Sequence, residues 1–425
     1  MNEKITNFLD EVCSHIKYRE AHNEIRAELS EHILETAKEI GVDKAILNMG
    51  SSLLIGENLN KQHKPKTEWS IIGLIALITL IGGMGLYGSS YKGYSSVILS
   101  RHLTFVAAGF LVMVYIYFFD YTKFKKYSLL IYFVTMTLLC ISLISGDYAD
   151  GRVFLRFAGI ALSTDYAVAM FILSYTGLIE RYKGQGIYAI LKSGFLGVFS
   201  YIAMLLTGNI SGMAVLAITY TILVMTAVVK NYFGGNKIVQ ILTWLGLSGS
   251  AFLTYVCFAI PAKQGTTDSG ITLSQWIGYL NPVTSGNGNG LKKSMQSITT
   301  DYAFINITFI LSWAGAVTLT AAILLFIIRM FITSKKIKNN YGFLLSLSAC
   351  TALSAQFILN TLLNFNLISI TGMGMPFVSY GGTGLIANMA LAGLLLSVWR
   401  RNNWLSGTQI RGEKELQNYN PTAAD

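Results

Sequence analysis

Ile370-Thr371-Gly372-Met373-Gly374-Met375-Pro376-Phe377-Val378-Ser379-Tyr380-Gly381-Gly382-Thr383-Gly384 stands immediately ahead of the last long apolar run, Leu385–Trp399. Five glycines and a proline in fifteen residues do not continue a helix. At the mouth of a membrane helix, such irregular backbone persists only where protein or water satisfies its amides and carbonyls. The stretch therefore reads as a loop packed into protein at a membrane boundary, or as a plain glycine-rich connection between two helices.

The rest of the chain supports the membrane setting. Of 425 residues, 52% are hydrophobic and only 13% are charged, the profile of a polytopic membrane protein. The first residues are polar and acidic, with no short apolar core behind a basic start, so no cleavable signal peptide is expected. Cys140, Cys257 and Cys350 lie inside apolar runs and Cys13 does not. Free, buried thiols are expected, with no disulfide frame and no metal cluster.

Behind the basic hinge Lys61–Lys66 come apolar runs at Trp69–Tyr87, Leu103–Phe119, Ser128–Ile144, Tyr166–Ile179, Ile187–Leu206, Gly212–Val229, Ile238–Ile260, Ala303–Ile328, Gly342–Leu363 and Leu385–Trp399. Crossing the hydrocarbon takes about 20 apolar residues, so the fourth and tenth runs should extend into their flanks. Each even-numbered run exits into basic residues: Lys123, Lys125 and Lys126; Arg181 and Lys183; Lys230 and Lys237; Arg329, Lys335, Lys336 and Lys338; Arg400 and Arg401. The positive-inside rule makes those loops cytoplasmic, and both termini with them. This distribution accounts for much of the net charge of +10 without nucleic acid.

Ahead of the membrane region, Ile5, Phe8, Leu9 and Val12 recur at helical spacing, as do Ile25, Leu29, His32 and Ile33. Two or three short amphipathic helices are expected. The fold class is thus all-α. A small helical cytoplasmic domain (1–67) precedes a membrane domain of about ten transmembrane helices (68–402), and a disordered cytoplasmic tail (403–425) follows.

Several polar residues collect on the outer face of this topology, and each has two readings. Asp301, at the entrance of the eighth span, is a partly desolvated carboxylate suited to act as a base, or an ordinary helix N-cap. Arg101, at the outer end of the second span, can hold a diphosphate through paired N–H donors, or can snorkel to anchor its helix. Asp165 begins the fourth span and reads equally as a helix-start aspartate. Lys292 and Lys293, in the long loop Pro261–Thr300, can attract phosphate or form a solvated basic turn. Gln356 and Asn360 stand one turn apart on the ninth span, where buried amides also lace helices together. No phosphate-binding Gly-Lys-Ser/Thr loop, HExxH, CxxC pair or Gly-x-Ser-x-Gly elbow occurs. Four of the five histidines belong to the N-terminal unit or its hinge, so no histidine-based outer site is expected.

The segment ITGMGMPFVSYGGTGLIAN (370–388) resembles the C-terminal signature of the SEDS family, the bacterial cell-shape, cell-division and sporulation proteins FtsW, RodA and SpoVE. TDYAF (300–304) is similar to the family's Thr-Asp-Phe-Ile-Phe, whose aspartate is the essential catalytic residue. Gln275–Pro282 and Gln296-Ser297 resemble its Gln-Arg-Ile…Phe-Leu-Asn-Pro and following Gln-Ser. Gln356 and Asn360 match its Gln-x-x-x-Asn. The outer loop with Asp150-Gly151-Arg152, Arg156 and Leu162–Asp165 resembles a weakened family segment, with Asp165 at a glutamate. In the N-terminal unit, Glu24–Glu35 with the later MGSSLLIGENLNK resembles a small helical prefix domain found ahead of some Firmicute permeases and anti-sigma-like membrane proteins. An amphipathic bundle of no special function is the alternative there.

What the family resemblance implies is a ten-span enzyme of the bacterial cytoplasmic membrane that polymerises lipid II at the outer face. Asp301 would be the catalytic base. Arg101, Arg152, Asp165, Lys292, Lys293, Gln356, Asn360, Pro376, Ser379, Tyr380, Gly381 and Gly382 would bind substrate. No cofactor is implied beyond a divalent cation that would help to stabilise the departing diphosphate. A class B penicillin-binding protein is the implied partner. Four departures stand against this. Only Ile298 and Thr299 separate Ser297 from Thr300, where active members carry a further Gly-Lys-Gly and Pro-Glu segment. Phe309 and Ile310 replace a Glu-Glu pair, and Val168 replaces a lysine. Asn209 stands where a carboxylate is expected. A non-catalytic relative acting as a lipid II-binding scaffold or sensor is therefore the alternative. A flippase or transporter comes third, since only Lys192 approaches the ionisable mid-membrane position that transporters use.

Overall fold

A computed structural model describes residues 3–16, 22–62, 67–91, 96–149, 152–157, 160–262, 299–365, 367–368 and 372–402. The expectations for Lys292, Lys293, Gln275–Pro282 and the tail 403–425 lie outside the described residues. Two compact units emerge: Met1–Thr67 with the chain from Trp399 onward, and Glu68–Val398.

The N-terminal residues form four helices rather than two or three: α1 (Glu3–Ser14), α2 (His22–Ile40), α3 (Val42–Met49) and α4 (Ser52–Gln62). Gly41, at φ 85°, takes a left-handed conformation that ends α2 and starts α3. The apolar stripes meet in two clusters. Ile5, Leu9, Ile33 and Ala45 form one, and Val12, Ile16 and Ile25 the other, with Phe8 and Leu29 packed against both. His32 does not share that stripe and is exposed.

The membrane unit holds α5 (Trp69–Tyr91), α6 (Ser96–Phe118), α7 (Thr122–Ser145), α8 (Tyr166–Arg181), α9 (Ile187–Leu206), α10 (Ile210–Val229), α11 (Lys237–Ala262), α12 (Ala303–Lys335), α13 (Asn340–Asn364) and α14 (Gly382–Arg400). Among the described residues, eight of these are long and apolar enough to cross a membrane. The others are α8, with 16 residues, and α11. Leu111, Tyr115, Phe195 and Val317 face outward, as lipid contact allows. Cys13 and Cys350 are buried free thiols as expected, but Cys140 is exposed on α7; the side chain of Cys257 lies outside the described residues.

One short sheet interrupts the helices. Strands β1 (Asp147–Ala149), β2 (Arg152–Phe157) and β3 (Ile160–Ser163) form an antiparallel meander between α7 and α8. The Val153 N–H donates to the Thr207 carbonyl at 3.1 Å, tying β2 to the end of α9. At the opposite end of the bundle, Lys125 pairs with Glu180 at 3.0 Å and the Tyr232 hydroxyl donates to the same carboxylate at 2.5 Å. Lys192 also reaches that end, where it donates to Gln185 at 3.0 Å. Its charge therefore lies away from mid-membrane.

Glycines on α5 set the closest packing. A Cβ at Gly82 would lie 2.8 Å from the Val378 backbone, and one at Gly85 would lie 2.8 Å from Ile307. Gly88 meets Ile310 in the same way. Such stripes of small residues let helix backbones approach without intervening side chains.

Helix α12 is kinked at Ser312, whose φ of 60° and ψ of −169° fall in a region open essentially to glycine. Gly315 leaves room for the Leu311 side chain that the kink pushes against it. Ser312→Gly is expected to raise the melting temperature of the purified protein, relieving strain of about 1 kcal/mol. Ser312→Val should lower it, since a β-branched side chain fits that region worst. Equal tolerance of both variants would mean that the helix is not kinked at this residue.

Candidate functional site

The polar groups singled out in the sequence converge at the sheet end of the bundle. Asp301 lies just before the start of α12 and is 9% exposed. Tyr302, not Asp301, occupies the N-cap position of α12. Asp301 Oδ2 accepts the Gly372 N–H at 2.5 Å, across to the glycine-rich loop. A hydrogen bond from a backbone N–H to a carboxylate is charge-assisted and fixes the acceptor's direction. The Asp301 carbonyl is held as well, by the side-chain amides of Asn360 at 2.8 Å and Asn364 at 3.0 Å. Asn360 also donates to the Met373 carbonyl, so α13 grips both sides of the Asp301–Gly372 contact. Asn364 continues the 356–360 spacing by one more turn, a signal present in the sequence but not read there as functional.

The loop fixes itself to the segment before α12. Ser379 Oγ donates to the Thr300 carbonyl at 2.5 Å and accepts from the Met375 N–H at 2.7 Å. The Tyr380 N–H donates to the Thr299 carbonyl at 2.8 Å. Pro376 is buried in the turn that Val378 and Ser379 close onto the Met375 carbonyl, so it shapes the loop from inside. Gly382 lies against the Phe105 ring, whereas Gly381 faces open space.

Behind the loop lies a second group of charges. Arg152, on β2, is 9% exposed and donates to Ser211 Oγ at 2.5 Å. Its guanidinium reaches Asp165 Oδ1 at 3.8 Å and rests against Gly372, where a Cβ would overlap it. Asp165 precedes α8 without capping it. It accepts instead from Ser163 Oγ at 2.8 Å and from Asn209 Nδ2 at 2.9 Å. Asn209 Oδ1 accepts the Gly212 N–H at 2.8 Å, so the amide caps α10 while holding Asp165. The Ser211 hydroxyl lies 3.0 Å from Asn209 Oδ1 and 3.2 Å from the Gly372 carbonyl. Thr383, at the start of α14, sits 3.0 Å from Ser163 Oγ and accepts the Ser163 N–H at 2.9 Å.

Gly372 is therefore the junction of the site. Its N–H serves Asp301, its carbonyl faces Ser211, and its α-carbon carries the Arg152 plane. With φ at 70°, it adopts the left-handed conformation that glycine tolerates best. Ser163, Asn209, Ser211, Asn364 and Thr383 complete the network and were not among the residues read as functional. The sequence showed Asn209 only as a missing carboxylate.

Two candidates stand apart from the network. Gln356 is half-buried and makes no side-chain hydrogen bond among the described residues. Arg101 is exposed within α6, more than a turn from its start, because the helix already begins at Ser96, ahead of the expected boundary. Among the described residues, no three His, Cys, Asp or Glu side chains stand close enough to hold a metal ion.

Residues 63–403 match the sequence profile of the cell cycle protein family FtsW/RodA/SpoVE. The chain is 23% identical over 364 residues to a probable peptidoglycan glycosyltransferase FtsW of Geobacter sp. (strain M18), covering 78% of this chain and 96% of that one. It is also 23% identical over 373 residues to stage V sporulation protein E of Bacillus subtilis (strain 168), covering 80% and 99%. The rod shape determining protein RodA of Thermus thermophilus has a similar fold, with a TM-score of 0.58 at 19% identity over 79% of this chain and 97% of that one. A chain of a peptidoglycan synthase complex that coordinates polymerization and crosslinking matches equally, with a TM-score of 0.58 at 19% identity over 79% and 98%.

Proposed function

Because the chain belongs to the FtsW/RodA/SpoVE cell cycle protein family, we propose that it is a peptidoglycan glycosyltransferase that polymerises lipid II. The observation that carries this reading is the Asp301 carboxylate. It is held on the Gly372 N–H, beside but separate from the compensated Arg152–Asp165 pair. Asp301 takes the proton of the acceptor sugar hydroxyl. That oxygen forms its bond to the anomeric carbon of the glycan, the bond to the diphosphate breaks, and undecaprenyl diphosphate leaves with the electron pair. Arg101, exposed on α6, supplies positive charge toward the leaving group, while Arg152, paired with Asp165, supports the loop at Gly372. No step is assigned to a metal ion.

The sheet end faces outward in this reading and both termini are cytoplasmic, with residues 1–67 as a cytoplasmic domain. The support is the concentration of Lys123, Lys125, Lys126, Arg181, Lys183 and Lys230 at the opposite end. The proposed partner is a class B penicillin-binding protein, in keeping with the synthase complex that supplied one structural match.

A second reading, a lipid II-binding scaffold, draws on the apolar Phe309 and Ile310 and on the short segment ahead of Thr300. Labelled lipid II incubated with the purified full chain, with and without a candidate transpeptidase, separates the two. Glycan polymer is the expected product. Binding of lipid II without polymer in either condition would establish the scaffold.

A further inference from the structure

We propose that His102 is a further substrate-binding residue, which holds the sugar–diphosphate headgroup of a polyprenyl-linked ligand once Tyr380 moves aside. The inference rests on the glycosyltransferase reading above.

His102 lies next to Arg101 on α6 and is 0% exposed. Neither Nδ1 nor Nε2 has a hydrogen-bond partner among the described residues. A neutral imidazole carries one N–H donor and one acceptor nitrogen. Leaving both unmet in the interior costs their full desolvation, and such groups are rare in folded proteins. Leucine would pack at this place without that cost, so packing alone does not account for the histidine.

Its position supplies the reason. The His102 ring lies 6.4 Å from the Tyr380 ring, tilted by 42°. One turn along α6, Phe105 packs against Gly382. His102 thus sits under the same loop whose Tyr380 N–H is bound to Thr299, two residues before Asp301. Nothing lies within 4 Å of a Cβ added at Gly381, so the loop backbone beside Tyr380 is unpacked on that side, and this is where the proposed movement of Tyr380 takes place. A sugar diphosphate then meets both nitrogens. A phosphoryl oxygen accepts from the N–H, and a sugar hydroxyl donates to the other nitrogen.

The test uses the full chain in nanodiscs with lipid II, comparing binding by His102→Leu with that by His102→Gln. Glutamine keeps a donor and an acceptor, and leucine keeps only bulk. His102→Leu should leave the ligand-free melting temperature unchanged or higher and weaken binding by about tenfold, a loss fitting one hydrogen bond to a charged group. His102→Gln should restore most of that loss. Native affinity in the leucine variant would overturn the proposal. So would a lower melting temperature without ligand, which would show that the ring is already satisfied in the free protein. Failure of glutamine to restore binding would reduce the residue to a matter of shape and would overturn the proposal too. If the native chain binds no lipid II, the glycosyltransferase reading itself falls, an outcome distinct from the other three.

Discussion

Asp301→Asn is expected to lower glycan polymerisation by about 10²–10⁴-fold, the usual contribution of a positioned general base. The asparagine side chain has the same shape and keeps an oxygen to accept the Gly372 N–H. The loop and its anchors at Ser379 and Asn360 should therefore survive, and the melting temperature should stay close to native. What disappears is the ability to take a proton. Asp301→Ala should lose polymerisation to the same degree and also lose stability. It leaves a partly buried N–H without its acceptor, at a cost of about 1 kcal/mol. The difference between the two variants isolates the chemistry from the scaffold. Polymerisation that persists in Asp301→Asn would place the base elsewhere.

Gly372→Ala should have the second largest effect. A Cβ at this position overlaps the Arg152 guanidinium, and the backbone φ of 70° is itself unfavourable for alanine, by about 1–2 kcal/mol. Relief requires Arg152 to leave Ser211 and Asp165 or the loop to shift away from Asp301. Displacement of a reacting group by about 1 Å can cost about 10²-fold in rate, and a loss of that order is expected in the polymerisation assay. Gly381→Ala is the control, since nothing lies within 4 Å of its added carbon, and its melting temperature should match the native value. Equal behaviour of the two alanine variants would show that Gly372 is not the junction described.

Long apolar segments were legible from the sequence because each had to satisfy its backbone internally. Each of the ten helices contains or closely follows its expected run, with the largest extensions where polar residues proved to be helical: Ser96–His102 at the start of α6, Thr122–Tyr127 at the start of α7 and Arg329–Lys335 at the end of α12. The carboxylate at 301 and the loop at 372–384 were legible through local wording. The network between them was not, because it is built from contacts between segments far apart in the chain. Arg152 approaches Gly372 only because a short β-meander turns the strand inward, and no periodicity over so few residues announces a sheet. Asp165 looked like a helix cap by position, yet its oxygens are claimed by Ser163 and Asn209. Asn209 looked like a loss, although an amide there can donate to Asp165 and cap α10 at once.

The glycine stripe of α5 has a mechanical consequence. Gly82 bears on the backbone of the loop at Val378, while Gly85 and Gly88 bear on Ile307 and Ile310 in the part of α12 nearest Asp301. No long, flexible side chain stands between these surfaces to absorb a displacement. The first membrane helix, the loop and the carboxylate-bearing end of α12 are therefore geared together. A tilt of α5 would press on the loop at Val378 and on Ile307 and Ile310 at the same time.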